Sequence, residues 1–255
     1  MSSVPMTSGD RVVVTADPDR FFVGADVVLL LDDVPPVGEG ERRADWLRRV
    51  GDRVSVYGRR IDAACSPDAV VVVPATNSAA NVVGAAVARS ARRLSPRNVL
   101  VVPRLVEDRA AEAVSLRAGA SASESGSASC VAGLIVWGDA SAASPGRFAL
   151  DASRATVCDV DATAVWAPER RRRPVDSVVL DIRWLHRDLP AILSSSSSSS
   201  SSSVVAMATA LTSFLSDWWA SSCDSQRLHS VAVASQGHSH QQFHLVNNSI
   251  ARTRM

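Results

Sequence analysis

The sequence predicts an α/β protein built on a parallel sheet. Two observations carry this: short aliphatic runs that read as strands buried on both faces, and longer stretches between them with apolar residues at helical spacing. Their alternation is the order that a parallel sheet with covering helices requires.

RVVVT (11–15) and ADVVLLL (25–31) are the first two expected strands, bounded by Asp, Pro and Gly. Residues 41–65 set Trp46, Leu47, Val50, Val54, Tyr57, Ile61 and Ala64 at helical spacing among arginines and acids, an amphipathic helix with a break expected at Gly51. DAVVVVPAT (68–76) follows as a third strand, Ser78 to Leu94 as an Ala-rich helix, and NVLVVP (98–103) as a fourth strand.

Beyond this the pattern changes. A helix is expected over 104–118, a Ser/Ala/Gly loop over 119–132 and a strand at LIVWG (134–138). Residues 146–184 alternate short β-like pieces, RATVCDV and VDSVVLDI, with turns at Pro168 and Pro174, before the helical WLHRDLPAIL. Ten serines (194–203) interrupt a helical hairpin and are expected to be poorly ordered, because serine buries no apolar surface. The next helix (204–222) carries Met207, Leu211, Phe214, Leu215 and Trp218 on one core-facing stripe, SVAVAS (230–235) reads as a strand, and a polar tail follows from about 237.

The 255 residues are 46% hydrophobic and 21% charged with a net charge of +1, which excludes a collagen, a disulfide-stapled mini-protein and a strongly basic nucleic-acid binder. All 27 basic residues are arginine, but they are dispersed and interleaved with acids, so no nucleic-acid partner is expected. Cys65, Cys130, Cys158 and Cys223 stand far apart without CxxC or Cys/His spacing, which reads as free thiols in a reducing compartment. His238, His240 and His244 have metal-like spacing but sit in the polar tail without acidic or thiolate partners. Apolar runs such as Ala25 to Leu31 are too short to span a bilayer, and the first residues carry no secretory signal, so a cytoplasmic protein is expected.

ADVVLLLDDVPPVGEGER, VVVVPATN, VPRLVEDRA and LIVWGDAS occur in the order and at roughly the spacing of NAD-dependent malate dehydrogenases, and VWAPERRRRPVDSVVLDIRWLHRDLPAIL with the later DWW extends the likeness to about residues 11–236. The chain therefore resembles the lactate and malate dehydrogenase superfamily. The resemblance implies an incomplete Rossmann-type parallel sheet over 1–103, starting after the first βαβ unit, then a mixed α/β malate-dehydrogenase-like catalytic domain over 104–255. It also implies NAD as cofactor, a dicarboxylate substrate, a possible homodimer and hydride transfer between malate and oxaloacetate.

The site residues depart from that pattern. Dinucleotide binding needs a Gly-rich turn that lets backbone N–H groups approach the pyrophosphate, and no G-x-G-x-x-G occurs here. A dicarboxylate is best held by guanidinium forks. By resemblance, Pro36 replaces the first clamping arginine, while Arg42 and Arg109 remain as substrate-binding candidates. Proton transfer needs a histidine oriented by a carboxylate. Val106 stands at the carboxylate position and Ala140 at the histidine position; Glu107 and Asp139 are each one residue off and expected to point elsewhere. The family's orienting carboxamide becomes Val73, and Asn77 reads as a helix cap. A catalytically silent, dehydrogenase-like protein is thus expected. The alternatives are an active oxidoreductase acting on a 2-hydroxy acid with NAD, and a shortened product whose exposed sheet edge lowers its solubility.

Overall fold

In a computed structural model, the structure describes residues 14–17, 20–31, 34–35, 37–75, 79–117, 131–138, 148–158, 172–174, 181, 183–195, 200–220, 229–234 and 243–245. Three strands, β1 (Val27–Leu29), β2 (Val70–Pro74) and β3 (Val99–Val102), lie side by side and parallel, with Val28 opposite Val71 and Val72 opposite Leu100. β2 and β3 are β-branched or leucine runs whose side chains alternate between two covered faces, which explains why they show no polar alternation.

One face is covered by α1 (Arg43–Ala64) and α2 (Ala80–Ser90). Trp46, Val50, Val54 and Ile61 of α1 and Val83 and Val87 of α2 meet Val28, Leu30, Val71, Val73, Val99 and Val101 in one core. Gly58 permits the two helices to touch: a Cβ there would stand 2.7 Å from the Ser90 Cβ and 3.3 Å from the Val87 backbone. The expected break at Gly51 does not occur, and α1 runs unbroken for 22 residues. Glycine costs a helix about 1 kcal/mol relative to alanine, and the buried residues on both sides of Gly51 outweigh that.

The other face is covered by α5 (Ser200–Ala220), whose Leu211 and Phe214 pack on Val72, Leu100 and Val102, with Met207 and Leu215 at the margin. The stripe expected from the sequence is the one that is buried. Two further strands complete this sheet in the order β1-β2-β3-β9-β10. The strand β9 (Ala232–Ala234) runs antiparallel to β3, with Ala232 opposite Val101, and β10 (Phe243–Leu245) runs antiparallel to β9. Residues from the part of the chain expected to form the second domain thus add two strands to the sheet of the first. β10 places one strand within the expected polar tail, since a single FHL triplet suffices once β9 offers an edge.

A second core forms around α3 (Arg104–Arg117). Its Val106, Ala110, Ala111 and Val114 pack with residues of β4 (Val131–Ala132), β5 (Ile135–Gly138) and β6 (Phe148–Asp151), and with Leu189 and Leu193 of α4 (Leu189–Ser195). β5 and β6 form an antiparallel hairpin pair, while β4, β7 (Thr156–Cys158) and β8 (Arg172–Pro174) form a three-stranded antiparallel sheet. One wide turn of π-helix, Trp184–Asp188, leads into α4 and stacks the Trp184 ring under the Arg117 guanidinium at 4.5 Å.

Two more expectations are corrected. The serine tract is helical at both ends, closing α4 at Ser195 and opening α5 at Ser200, which suits a residue favoured at helix termini. Of the expected strand 11–15, residues 11–13 lie outside the described residues, and Val14, 93% exposed, and Thr15 belong to no strand. VDSVVLDI falls almost wholly outside the described residues. Among the described residues β1 is therefore an edge strand, and Leu29 and Leu31 on its uncovered face are 40% and 63% exposed.

Candidate functional site

In a parallel α/β sheet, ligands bind beyond the carboxyl ends of the strands, where the following loops and helix N-termini converge. Here that edge comprises the loop from β1 to α1, the residues after β2, and the start of α3 directly after Pro103.

Arg42 lies at this edge as the N-cap residue of α1, its carbonyl accepting from the Asp45 and Trp46 N–H groups. Its guanidinium is 83% exposed and bonds Asp45 Oδ2 at 2.7 Å, while Arg48 bonds Asp45 Oδ1 at 2.8 Å. The two guanidinium groups hold the Asp45 carboxyl below its usual range. In the same loop Gly40 takes a left-handed turn at φ +70°. Glu41 accepts there from Gly38 N–H at 2.8 Å and from Arg49 Nη2 at 2.8 Å, and those bonds, the Arg49 one foremost, depress its pKa. The Gly38 N–H and the Arg49 guanidinium are thus both bonded to the Glu41 carboxylate. Trp46 fastens the loop to α1 through Nε1–H donating to the Pro35 carbonyl at 2.7 Å.

Arg109 lies in the second turn of α3, half-buried, with no hydrogen bond or ion pair among the described residues. Arg42 and Arg109 therefore share the carboxyl edge, following β1 and β3 on either side of β2. Val106, one turn before Arg109, is 4% exposed and packed in the second core with Ala110, Val114 and Val136. Val73 is 3% exposed and faces the α1/α2 core. Pro36, Asn77, Asp139 and Ala140 lie outside the described residues, as do His238 and His240. Among the described residues no cluster of His, Cys, Asp or Glu suits a metal ion, and no helix is long and apolar enough to cross a membrane. Cys65 is a free, buried thiol whose pKa burial pushes up.

Glu107 does point away from Val106. A step of one residue turns a helix by about 100°, and Glu107 meets the segment before β9, where the Ser230 hydroxyl donates to its Oε1 at 3.4 Å. Burial pushes the Glu107 carboxyl up to about 8, against the lowering effect of nearby Arg104. Arg104, also on α3, pairs with Asp108 at 2.9 Å and with Asp217 of α5 at 3.4 Å. It donates as well to Ser213 Oγ at 3.2 Å and lies 3.1 Å from His229 Nδ1, which accepts, because arginine can only donate. Sequence reasoning missed this cluster. Its members are separated by more than a hundred residues along the chain, and the available signal was the charged RLVED opening of a helix wedged between buried elements.

Among the described residues no Gly-rich turn suited to a dinucleotide pyrophosphate follows a strand, and Gly40, left-handed at the carboxyl edge, turns the loop in which Glu41 accepts from Gly38 N–H.

No family profile matches the sequence. A curated relative, "Putative malate dehydrogenase 1B" of Branchiostoma floridae, is 28% identical over 235 residues, covering 89% of this chain. The chain spans only 42% of that relative's length. Among solved structures, malate dehydrogenase from Naegleria fowleri superposes with a TM-score of 0.62 at 21% identity, over 88% of this chain and 61% of that one. Lactate dehydrogenase from Trichomonas vaginalis, in complex with NADH and oxamate, gives a TM-score of 0.64 at 18% identity, over 89% of this chain and 63% of the other. The solved structures show that this chain shares the fold of malate and lactate dehydrogenases, and the sequence relative is similar to it over most of its length.

Proposed function

We propose that this chain is a dehydrogenase-like scaffold that binds or assembles rather than transferring hydride between malate and NAD. The observation that carries the reading is Val106. In the family reaction a hydride reaches the carbonyl carbon of oxaloacetate and a proton must reach the resulting alkoxide, which requires an imidazole oriented by a carboxylate. At the carboxylate position this chain has a valine sealed in an apolar core, and at the imidazole position Ala140. Neither side chain carries a proton, and loss of either member of such a pair removes orders of magnitude in rate. A cytoplasmic, self-associating protein fits this reading.

A second reading, dicarboxylate binding without catalysis, is favoured by Arg109, which has no ion pair among the described residues and shares the carboxyl edge with Arg42. One titration separates the readings. Purified chain is titrated with NADH, followed by nucleotide fluorescence, and with malonate, followed by calorimetry. The expected result is no saturable NADH binding; saturation at micromolar NADH overturns the absence of a nucleotide site. Malonate binding that disappears in Arg109→Ala establishes the second reading.

A further inference from the structure

Among the described residues Glu107 and Ser230 are the buried polar side chains, 8% and 2% exposed, and they face each other. Ser230 joins three elements. Its hydroxyl oxygen accepts from the Val136 N–H of β5 at 3.0 Å, its proton is directed to Glu107 Oε1 of α3, and two residues later Ala232 enters register with Val101. The second carboxyl oxygen, Oε2, is buried with no hydrogen-bond partner. A neutral acid tolerates one missing bond far better than a carboxylate tolerates a missing counter-charge.

We propose that Glu107 and Ser230 form a proton-operated latch: the neutral carboxyl holds the start of β9 against α3 and β5, and loss of its proton frees that segment from both. Burial outweighs the groups that favour the carboxylate, which are Arg104 and the Ser230 hydroxyl and N–H. On α3 itself Arg104 is committed to Asp108 and, across the gap, to Asp217, so one guanidinium already faces two carboxylates. From α5 the titratable side chain is Asp217, and from the residues leading into β9 it is His229, whose Nδ1 is turned to Arg104. The sequences of β4, β5 and α4, which also pack on α3, contain no titratable residue. The π-turn at Trp184–Asp188 meets α3 at its far end, through Arg117.

The direction of the switch follows from linkage. In the closed segment burial, aided by Asp108, raises the carboxyl from 4.5 to about 8, and once opened to water the group returns to its ordinary value. The closed state therefore holds the proton more tightly, and raising the pH favours opening. The opening constant rises by up to about tenfold per pH unit between the ordinary carboxylate range and about 8, then levels off. This inference does not depend on whether the chain binds nucleotide or dicarboxylate.

The test is amide hydrogen exchange on the full chain across this pH range, corrected for the intrinsic rate, in wild type and Glu107→Gln. The amide oxygen of Gln accepts from Ser230 as the acid does but does not ionise. The expected result is protection at Val136 and Ala232–Ala234 that falls about tenfold per pH unit from about 6 to about 8 in wild type and stays flat in Glu107→Gln, while α1 and β2 amides do not change in either. Equal pH dependence in both proteins, or a loss of protection that includes α1 and β2, overturns the latch. Should the variant fail to fold, the carboxyl carbon resonance of Glu107 in wild type decides alone: an inflection near 8 supports the proposal, and one in the ordinary carboxylate range overturns it.

Discussion

Phe214→Ala is expected to lower the unfolding free energy by about 3–5 kcal/mol, the range for removing a fully buried phenylalanine ring. Phe214 is 2% exposed and is the centre of the contact between α5 and the sheet, packing on Val72, Leu100 and Val102. The ring also stacks with Trp218 at 6.3 Å and meets His229 edge-on at 5.9 Å. The cavity would open between a helix and three strands held rigid by their own hydrogen bonds, so little relaxation is available to fill it. Urea denaturation reads the effect as a lowered midpoint with unchanged slope. Val204, 69% exposed on the same helix, provides the control, because its truncation removes almost no buried surface. A loss below about 1 kcal/mol for Phe214→Ala, within the range of ordinary surface changes, would mean that α5 does not cover this face.

Gly133→Ala is expected to cost about 2–5 kcal/mol through two additive causes, both local to the second core. Gly133 joins β4 to β5 with φ +80°, a left-handed conformation that costs an alanine about 1–2 kcal/mol. A Cβ there would also run into the Arg154 carbonyl oxygen and stand 3.0 Å from its carbon. That neighbour is backbone, fixed by the turn in which Ala155 N–H donates to the Ala152 carbonyl, so it cannot swing aside, and overpacking of this kind costs about 1–3 kcal/mol more. Thermal unfolding of the variant checks this, and an unchanged midpoint would contradict the close approach of the two turns.

The elements legible in the sequence were those whose own residues determine them. The VVVVP and VLVV runs, the helical stripe of α1 and the Met207-to-Trp218 stripe of α5 each declare a buried face by period alone. What escaped depends on partners distant in sequence. β10 exists because β9 offers it an edge, the unbroken course through Gly51 depends on the α1/α2 core, and the helical ends of the serine tract depend on helices that begin or finish inside it. The site divides in the same way. Val106, Arg42 and Arg109 are site positions by resemblance alone. That Glu107 points away from the Val106 side follows from helix geometry, but its meeting with Ser230, 123 residues later, required the three-dimensional structure.

The proposed reading gives this chain no hydride transfer of its own. Oxaloacetate-dependent oxidation of NADH by purified, folded chain tests it most directly. The account predicts a rate indistinguishable from that of the protein-free blank at every chain concentration. A rate that rises in proportion to the chain and is abolished by Arg109→Ala would contradict it, and would require a proton donor other than the residues at positions 106 and 140.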